Sequence, residues 1–182
     1  MTIKCITANL QGGQDDWLSQ LASEEIDIAF LQEAPHELPK EFADAYDICK
    51  YNETASHPAY RCRTLIAVRR EASLNPKTLE VPTATYHRSY VAGDFNEARD
   101  SNLLDPEWGI WGTQYFEKAK SELGLFDVTW SEWKGECATH GDAQLDHILA
   151  TEDLRSHLIH STVLENENTY KSDHHPITWS IA

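Results

Sequence analysis

Gly93-Asp94-Phe95-Asn96 closes a short apolar run with a glycine turn that presents a carboxylate and a carboxamide two positions apart. That pair suits a site where a water and a phosphate oxygen are held beside a divalent cation. Three further polar groups share its setting: Glu33 after Ile28-Ala29-Phe30-Leu31, Asp146 within Gln144-Leu145-Asp146-His147-Ile148, and Asp173-His174 ahead of Pro176. Phosphodiesters resist attack because they are anionic and their alkoxide leaving group is poor. A hydrolase must therefore neutralise charge, position a water and assist the departing oxygen. On that chemistry Glu33 is a hard oxygen ligand for Mg²⁺ or Mn²⁺. Asp94 orients or deprotonates the attacking water, and Asn96 donates to a phosphoryl oxygen. His174, as imidazolium, stabilises the charge at the phosphorus, while Asp146 accepts its other ring proton and fixes the ring.

These groups need elements that bring them to one place. Ile3–Asn9 is short and rich in β-branched residues, which predicts a strand ending at Asn9 before the Gly12-Gly13 break. Asp15 caps an expected helix whose Trp17, Leu18 and Leu21 share one face. Ile26–Leu31 follows as a strand buried on both faces. Strand, helix, strand places Asn9 and Glu33 on one rim. Thr64–Val68, Thr78–Val81, Thr83–Ala92, Phe126–Trp130, Leu145–Ala150 and Ile177–Ile181 are further predicted strands, and Thr113 opens a helix that Gly124 stops. Strands outnumber helices and alternate with them. The expected class is an α/β or α+β sandwich with helices outside sheet, its carboxylates at strand ends.

A chain of 182 residues, 41% hydrophobic and 10% aromatic, fits one domain spanning 1–182 with a real core. Its apolar runs fall far short of the roughly 20 residues that cross a bilayer. The N-terminus enters a strand pattern at once, so the expected location is cytoplasmic. Cys5, Cys49, Cys62 and Cys137 form no CxxC pair, and Cys137 with His140 lacks further zinc ligands at suitable sequence spacing. His140, His147, His157 and His160 are expected at the surface or behind the site rather than as zinc ligands. The formal charge of −15 weighs against tight, nonspecific duplex binding. It leaves room for a small phosphoester or for a local basic patch.

Taken singly, a glycine followed by Asp-x-Asn is most often a turn that caps itself. In order, however, Asn9-Leu10, Gln32-Glu33, Gly93-Asp94-Phe95-Asn96, Leu145-Asp146-His147-Ile148 and Ser172-Asp173-His174-His175-Pro176 resemble the motifs of the endonuclease/exonuclease/phosphatase family, the deoxyribonuclease-I-like fold. The resemblance covers roughly residues 1–33 and 91–182. It implies an α/β four-layer sandwich of two mainly antiparallel β-sheets flanked by helices, and a divalent-metal phosphoesterase using Mg²⁺ or Mn²⁺. It also implies Asn9 near metal and phosphate, and Asp173 as a metal ligand or outer carboxylate beside His174.

One departure stands out. The family places a further strand, bearing a phosphate-contacting His or Tyr, and a crossover helix before GDFN, whereas Thr83–Ala92 runs straight into that motif. Either the fold is trimmed by one strand–helix unit or it is incomplete before Gly93. His87 is the nearby stand-in for the phosphate contact. The leading expectation is a phosphodiesterase or nuclease whose partner is a phosphoester substrate, nucleic acid included, with no protein partner indicated. The alternatives are a phosphatase of a small or lipid phosphoester, and a catalytically impaired member that only binds.

Overall fold

Residues Ile3–Asn9 form β1, an inner strand of the larger sheet: Ile6 and Ala8 face one apolar cluster, Cys5 and Ile3 the other. The two-residue side-chain period of a strand is what delivers alternate residues to two different cores. The computed structural model describes residues 2–11, 15–35, 37–53, 63–72, 74, 90–95, 113–134, 137–164 and 172–182. The expectations over 75–89, including the shortening before Gly93, fall outside that set.

After β1 come α1 (Asp15–Ser23), β2 (Ile28–Ala34), α2 (Lys40–Ala45), β3 (Tyr46–Glu53), β4 (Arg63–Arg69) and β5 (Tyr90–Asp94). The chain continues through α3 (Thr113–Leu123), β6 (Leu125–Asp127), α4 (Val128–Trp133), β7 (Asp146–Thr151), β8 (Leu158–Val163) and β9 (Ile177–Ile181). Six strands form one sheet in the order β3-β4-β2-β1-β9-β8, and three form a second in the order β5-β7-β6. All pairs are antiparallel except β1 with β2, which α1 connects. A parallel pair needs such a crossover, and α1 supplies it.

The helix layer over the large sheet is seated by Trp17, Leu18 and Leu21 of α1 and Phe42 of α2. Burial of Leu18 and Leu21 stabilises this face by about 1.5–3 kcal/mol each. Asp15 and Asp16 in the first turn of α1 complement its dipole. Between the sheets pack Cys5, Phe126, Ile148, Ala150, Ile177 and Trp179, with Phe30 stacked on Trp179 at 5.5 Å. Helix α4 lies against β7 of the small sheet and β8 of the large one. The result is the two-sheet α/β sandwich expected from the sequence.

Several local expectations change. The strand read over Phe126–Trp130 stops at Asp127, where Oδ1 accepts from the Trp130 N–H at 3.1 Å and from Thr129 Oγ1 at 2.7 Å. That N-cap starts α4 and overrides the β-preference of Val128 and Thr129. The second strand starts at Ile28 rather than Ile26 and runs through Gln32-Glu33 to Ala34. Strand β8 was not anticipated, because on this edge strand Ser161 points inward while Ile159 is half exposed, so its hydrophobic alternation is inverted.

Candidate functional site

Strand register assembles the site. Asn9 at the end of β1 pairs with Gln32 of β2, and Thr7 pairs with Ile177, the first residue of β9. The segment preceding β9 therefore arrives beside Asn9, where Ser172 Oγ donates to the Asn9 carbonyl at 2.8 Å and accepts from the His174 N–H at 3.1 Å. In the second sheet Asp94, the last residue of β5, lies opposite Asp146, the first of β7.

Between Leu31 and Ala34 the register of β2 against β4 slips by one residue, and Glu33 within this bulge takes φ 51°. A left-handed conformation costs a non-glycine residue about 1–3 kcal/mol, and a bulge re-aims a side chain. Here the re-aimed carboxylate meets Asn9. Gly93 has φ 152°, and a β-carbon placed on it would sit 3.0 Å from Gln32 Nε2 and 3.2 Å from Gln32 Cδ. The backbone angle favours glycine here, and any larger residue would also displace the Gln32 side chain.

The side chains meet as follows. Asn9 Nδ2 donates to Glu33 Oε1 at 3.3 Å and to Asp94 Oδ2 at 3.1 Å. His174 Nδ1 lies 2.7 Å from Asp146 Oδ2, and since a carboxylate accepts, the ring N–H donates. The opposite nitrogen, Nε2, is 3.9 Å from both Asp94 Oδ2 and Asp173 Oδ1. Asp173 is half exposed and its Oδ2 lies 3.4 Å from His140 Nε2. Burial would lower the pKa of His174, but the hydrogen bond and charge of Asp146, followed by Asp94 and Asp173, outweigh it and raise the imidazole above its ordinary value. The ring is thus biased toward the imidazolium form.

Asn9, Glu33, Asp94, Asp146, Asp173 and His174 share one corner of the fold. Asn96 and His87 lie outside the described residues. Glu33, Asp94 and Asn9 offer oxygen donors, the set a hard divalent cation selects. The Asn9 amide nitrogen, the positive end of a dipole, is the group that the two carboxylates share, and this polarity marks a place suited to a cation. These oxygen donors fit a hard divalent cation. Ligand atoms of Asp94, Asp146 and His174 also lie within 4.8 Å of one another.

Behind the corner stands a buried polar layer that no local periodicity in the sequence marks. Thr139 Oγ1 accepts from the backbone N–H of both Leu145 and Asp146 at 3.0 Å, and the Thr139 carbonyl accepts from the His175 N–H at 2.6 Å. One residue therefore ties the Asp146 strand to the His174 segment. His147, expected near the surface or behind the site, is wholly buried, with Nδ1 2.8 Å from Asp127 Oδ2 and 3.2 Å from Gln144 Nε2. Gln144 Nε2 also donates to Thr129 Oγ1 at 2.6 Å and to the Asp146 carbonyl at 3.2 Å. The available signal was the run of polar residues around a strand whose six positions are all buried.

A family model described as Endonuclease/Exonuclease/phosphatase family matches residues 6–174. No curated protein matches the sequence. Among solved structures, the endonuclease domain of TRAS1, a telomere-specific non-LTR retrotransposon, is 16% identical with a TM-score of 0.66, over 100% of this chain and 98% of that one. The AP endonuclease LMAP from Leishmania major is 14% identical with a TM-score of 0.73, over 99% and 87% of the respective chains. An endonuclease/exonuclease/phosphatase family protein from Leptotrichia buccalis C-1013-b is 15% identical with a TM-score of 0.64, over 99% of each.

Proposed function

The chain belongs to the endonuclease/exonuclease/phosphatase family, and from that premise we propose that it is a Mg²⁺- or Mn²⁺-dependent phosphodiesterase of nuclease type, formed by one domain over residues 1–182. The observation that carries this reading is the meeting of Asn9, Glu33, Asp94, Asp146 and His174, drawn from both sheets, around a Asp146–His174 contact of 2.7 Å. A bound divalent cation would supply neutralisation of phosphate charge and polarisation of the phosphoryl oxygen.

The chain's own groups do the rest. Glu33, Asp94 and Asn9 would hold the cation, with Asp173 as a carboxylate beside His174. Asp94 orients the attacking water and takes its proton as the new P–O bond forms and the bond to the leaving oxygen breaks, that oxygen departing as an alkoxide which solvent protonates. His174 presents Nε2–H to the charge that grows on the phosphoryl group. Asp146 keeps that ring in place and protonated, so that its other N–H stays a donor. Asn96 adds a donor to a phosphoryl oxygen, and His87 a phosphate contact.

A second reading, a phosphatase acting on a small or lipid phosphoester, draws support from the charge of −15, which disfavours tracking along a polyanion. Among the described residues no helix is long and apolar enough to cross a membrane. Hydrolysis of bis-p-nitrophenyl phosphate and of single-stranded DNA, with Mg²⁺ and with chelator, tests the first reading. Turnover of the diesters that stops with chelator supports it. Turnover restricted to phosphomonoesters moves the assignment to the second, and metal-independent turnover removes the cation from the site.

A further inference from the structure

Three nitrogen and oxygen donors meet on the outer side of the His174 ring. His140 Nε2 is 3.4 Å from Asp173 Oδ2, His174 Nε2 is 3.9 Å from Asp173 Oδ1, and ligand atoms of all three residues lie within 4.8 Å of one another. The rings of His140 and His174 have centroids 4.7 Å apart. We propose that His140, Asp173 and His174 form a second metal site, selective for Zn²⁺ or a similar transition metal, whose occupation inhibits the hydrolase.

The donor chemistry differs from that of the Asn9–Glu33–Asp94 corner. Carboxylate and carboxamide oxygens suit Mg²⁺, whereas two imidazoles with one carboxylate suit Zn²⁺, Co²⁺ or Ni²⁺. For Zn–N and Zn–O bonds of about 2.0–2.1 Å, tetrahedral ligands stand about 3.3–3.4 Å apart. The His140–Asp173 separation already has that value. Three protein ligands leave the fourth position to water, as in open zinc sites.

Two features pre-organise the set. Asp146 Oδ2 accepts from His174 Nδ1–H at 2.7 Å, which leaves Nε2 to face the metal. A carboxylate behind a ligating histidine fixes its tautomer and raises its basicity. His140 sits in a tight turn, bridged to Ala143 by N–H···O bonds of 3.0 Å in both directions. The adjoining Thr139 carbonyl binds the His175 N–H at 2.6 Å, so the two ligand-bearing segments are held together by backbone rather than by their side chains. Sequence spacing concealed the set, because 33 residues separate His140 from Asp173 and the fold alone closes that distance. Zn²⁺ on Nε2 of His174 takes the nitrogen that the proposed mechanism aims at the phosphoryl group, displacing any proton there to solvent. Inhibition follows, and this consequence rests on the hydrolase reading.

Binding is measured first, without substrate. In a tenfold excess of Mg²⁺ over protein, wild type should take up one Zn²⁺ per chain by titration calorimetry. Co²⁺ in its place should give the intense visible d–d bands of a low-coordinate nitrogen-bearing site. His140→Asn should weaken Zn²⁺ binding at least tenfold, on the scale seen when even outer partners of a ligand are lost. His140→Cys should restore it, since thiolate is also a zinc ligand. Unchanged Zn²⁺ affinity in a folded His140→Asn protein, or displacement of Zn²⁺ by stoichiometric Mg²⁺, overturns the site. In the activity arm, Zn²⁺ that stops Mg²⁺-supported hydrolysis by wild type should leave His140→Asn at least tenfold less inhibited; equal inhibition overturns the regulatory role. The binding arm needs no turnover, so absence of hydrolysis would count against the proposed function alone.

Discussion

Replacing Thr139 by valine removes one oxygen atom and keeps the side-chain shape. Thr139 is completely buried, and its Oγ1 accepts from the N–H groups of Leu145 and Asp146, both at 3.0 Å. A buried donor left without a partner costs about 1–3 kcal/mol, so two cost about 2–6 kcal/mol. Against a total stability of about 5–15 kcal/mol for a domain, that is a large share. Thr139→Ser keeps the hydroxyl and loses one methyl, about 0.8 kcal/mol. Urea unfolding at constant m should therefore place the valine variant well below the serine variant in midpoint. Because Asp146 is one of the two residues left unheld, kcat should fall in the valine variant more than KM rises, and recover in the serine variant. Equal midpoints for valine and serine would refute the role given to the hydroxyl.

Other outcomes follow from single features. Gly93→Ala should cost about 1–3 kcal/mol in urea unfolding, because φ 152° strains any residue with a β-carbon. Pairing it with Gln32→Ala should recover only the part due to the 3.0 Å contact. Burial would raise the Asp127 pKa, but hydrogen bonds and charge from His147, together with the Thr129 hydroxyl and Trp130 N–H, bring it below its ordinary value. A depressed carboxyl stabilises the fold fully above the unfolded pKa of about 3.9, and that contribution disappears as pH falls through the lower folded value. Asp127→Asn should accordingly flatten the acid limb of stability below about pH 4. Burial, with a smaller contribution from the charge of Asp27, pushes the Cys5 thiol up to about 12. Iodoacetamide should label Cys5 only on unfolding, as read by mass spectrometry.

Much of the site was legible because its residues sit at the ends of strands with strong local patterns. Asn9 follows a β-branched run, Glu33 an apolar one, and Asp94 a glycine turn, so each could be placed on a rim without knowing the register. What the sequence did not carry is contact between distant segments. Thr139, His140 and Gln144 lie in a stretch without periodicity, and their importance comes from bonds to residues up to 36 positions away, such as Thr139 to His175. Asp127 misled for a different reason. Its neighbours favour strand, yet its own side chain competes for their N–H groups and starts a helix. The bulge that turns Glu33 toward Asn9 is likewise set by pairing with β4, which no local pattern announces.

The most direct measurement is kcat/KM for Mg²⁺-supported hydrolysis of a phosphodiester by Asp94→Ala and His174→Ala, each checked for folding by circular dichroism. Loss of a positioned base or charge-stabilising group costs on the order of 10²–10⁴-fold. A fall of that size in both variants, with Mg²⁺ affinity reduced in Asp94→Ala and kept in His174→Ala, is the predicted result. Full wild-type rate in either folded variant would contradict the assignment of this corner as the catalytic site.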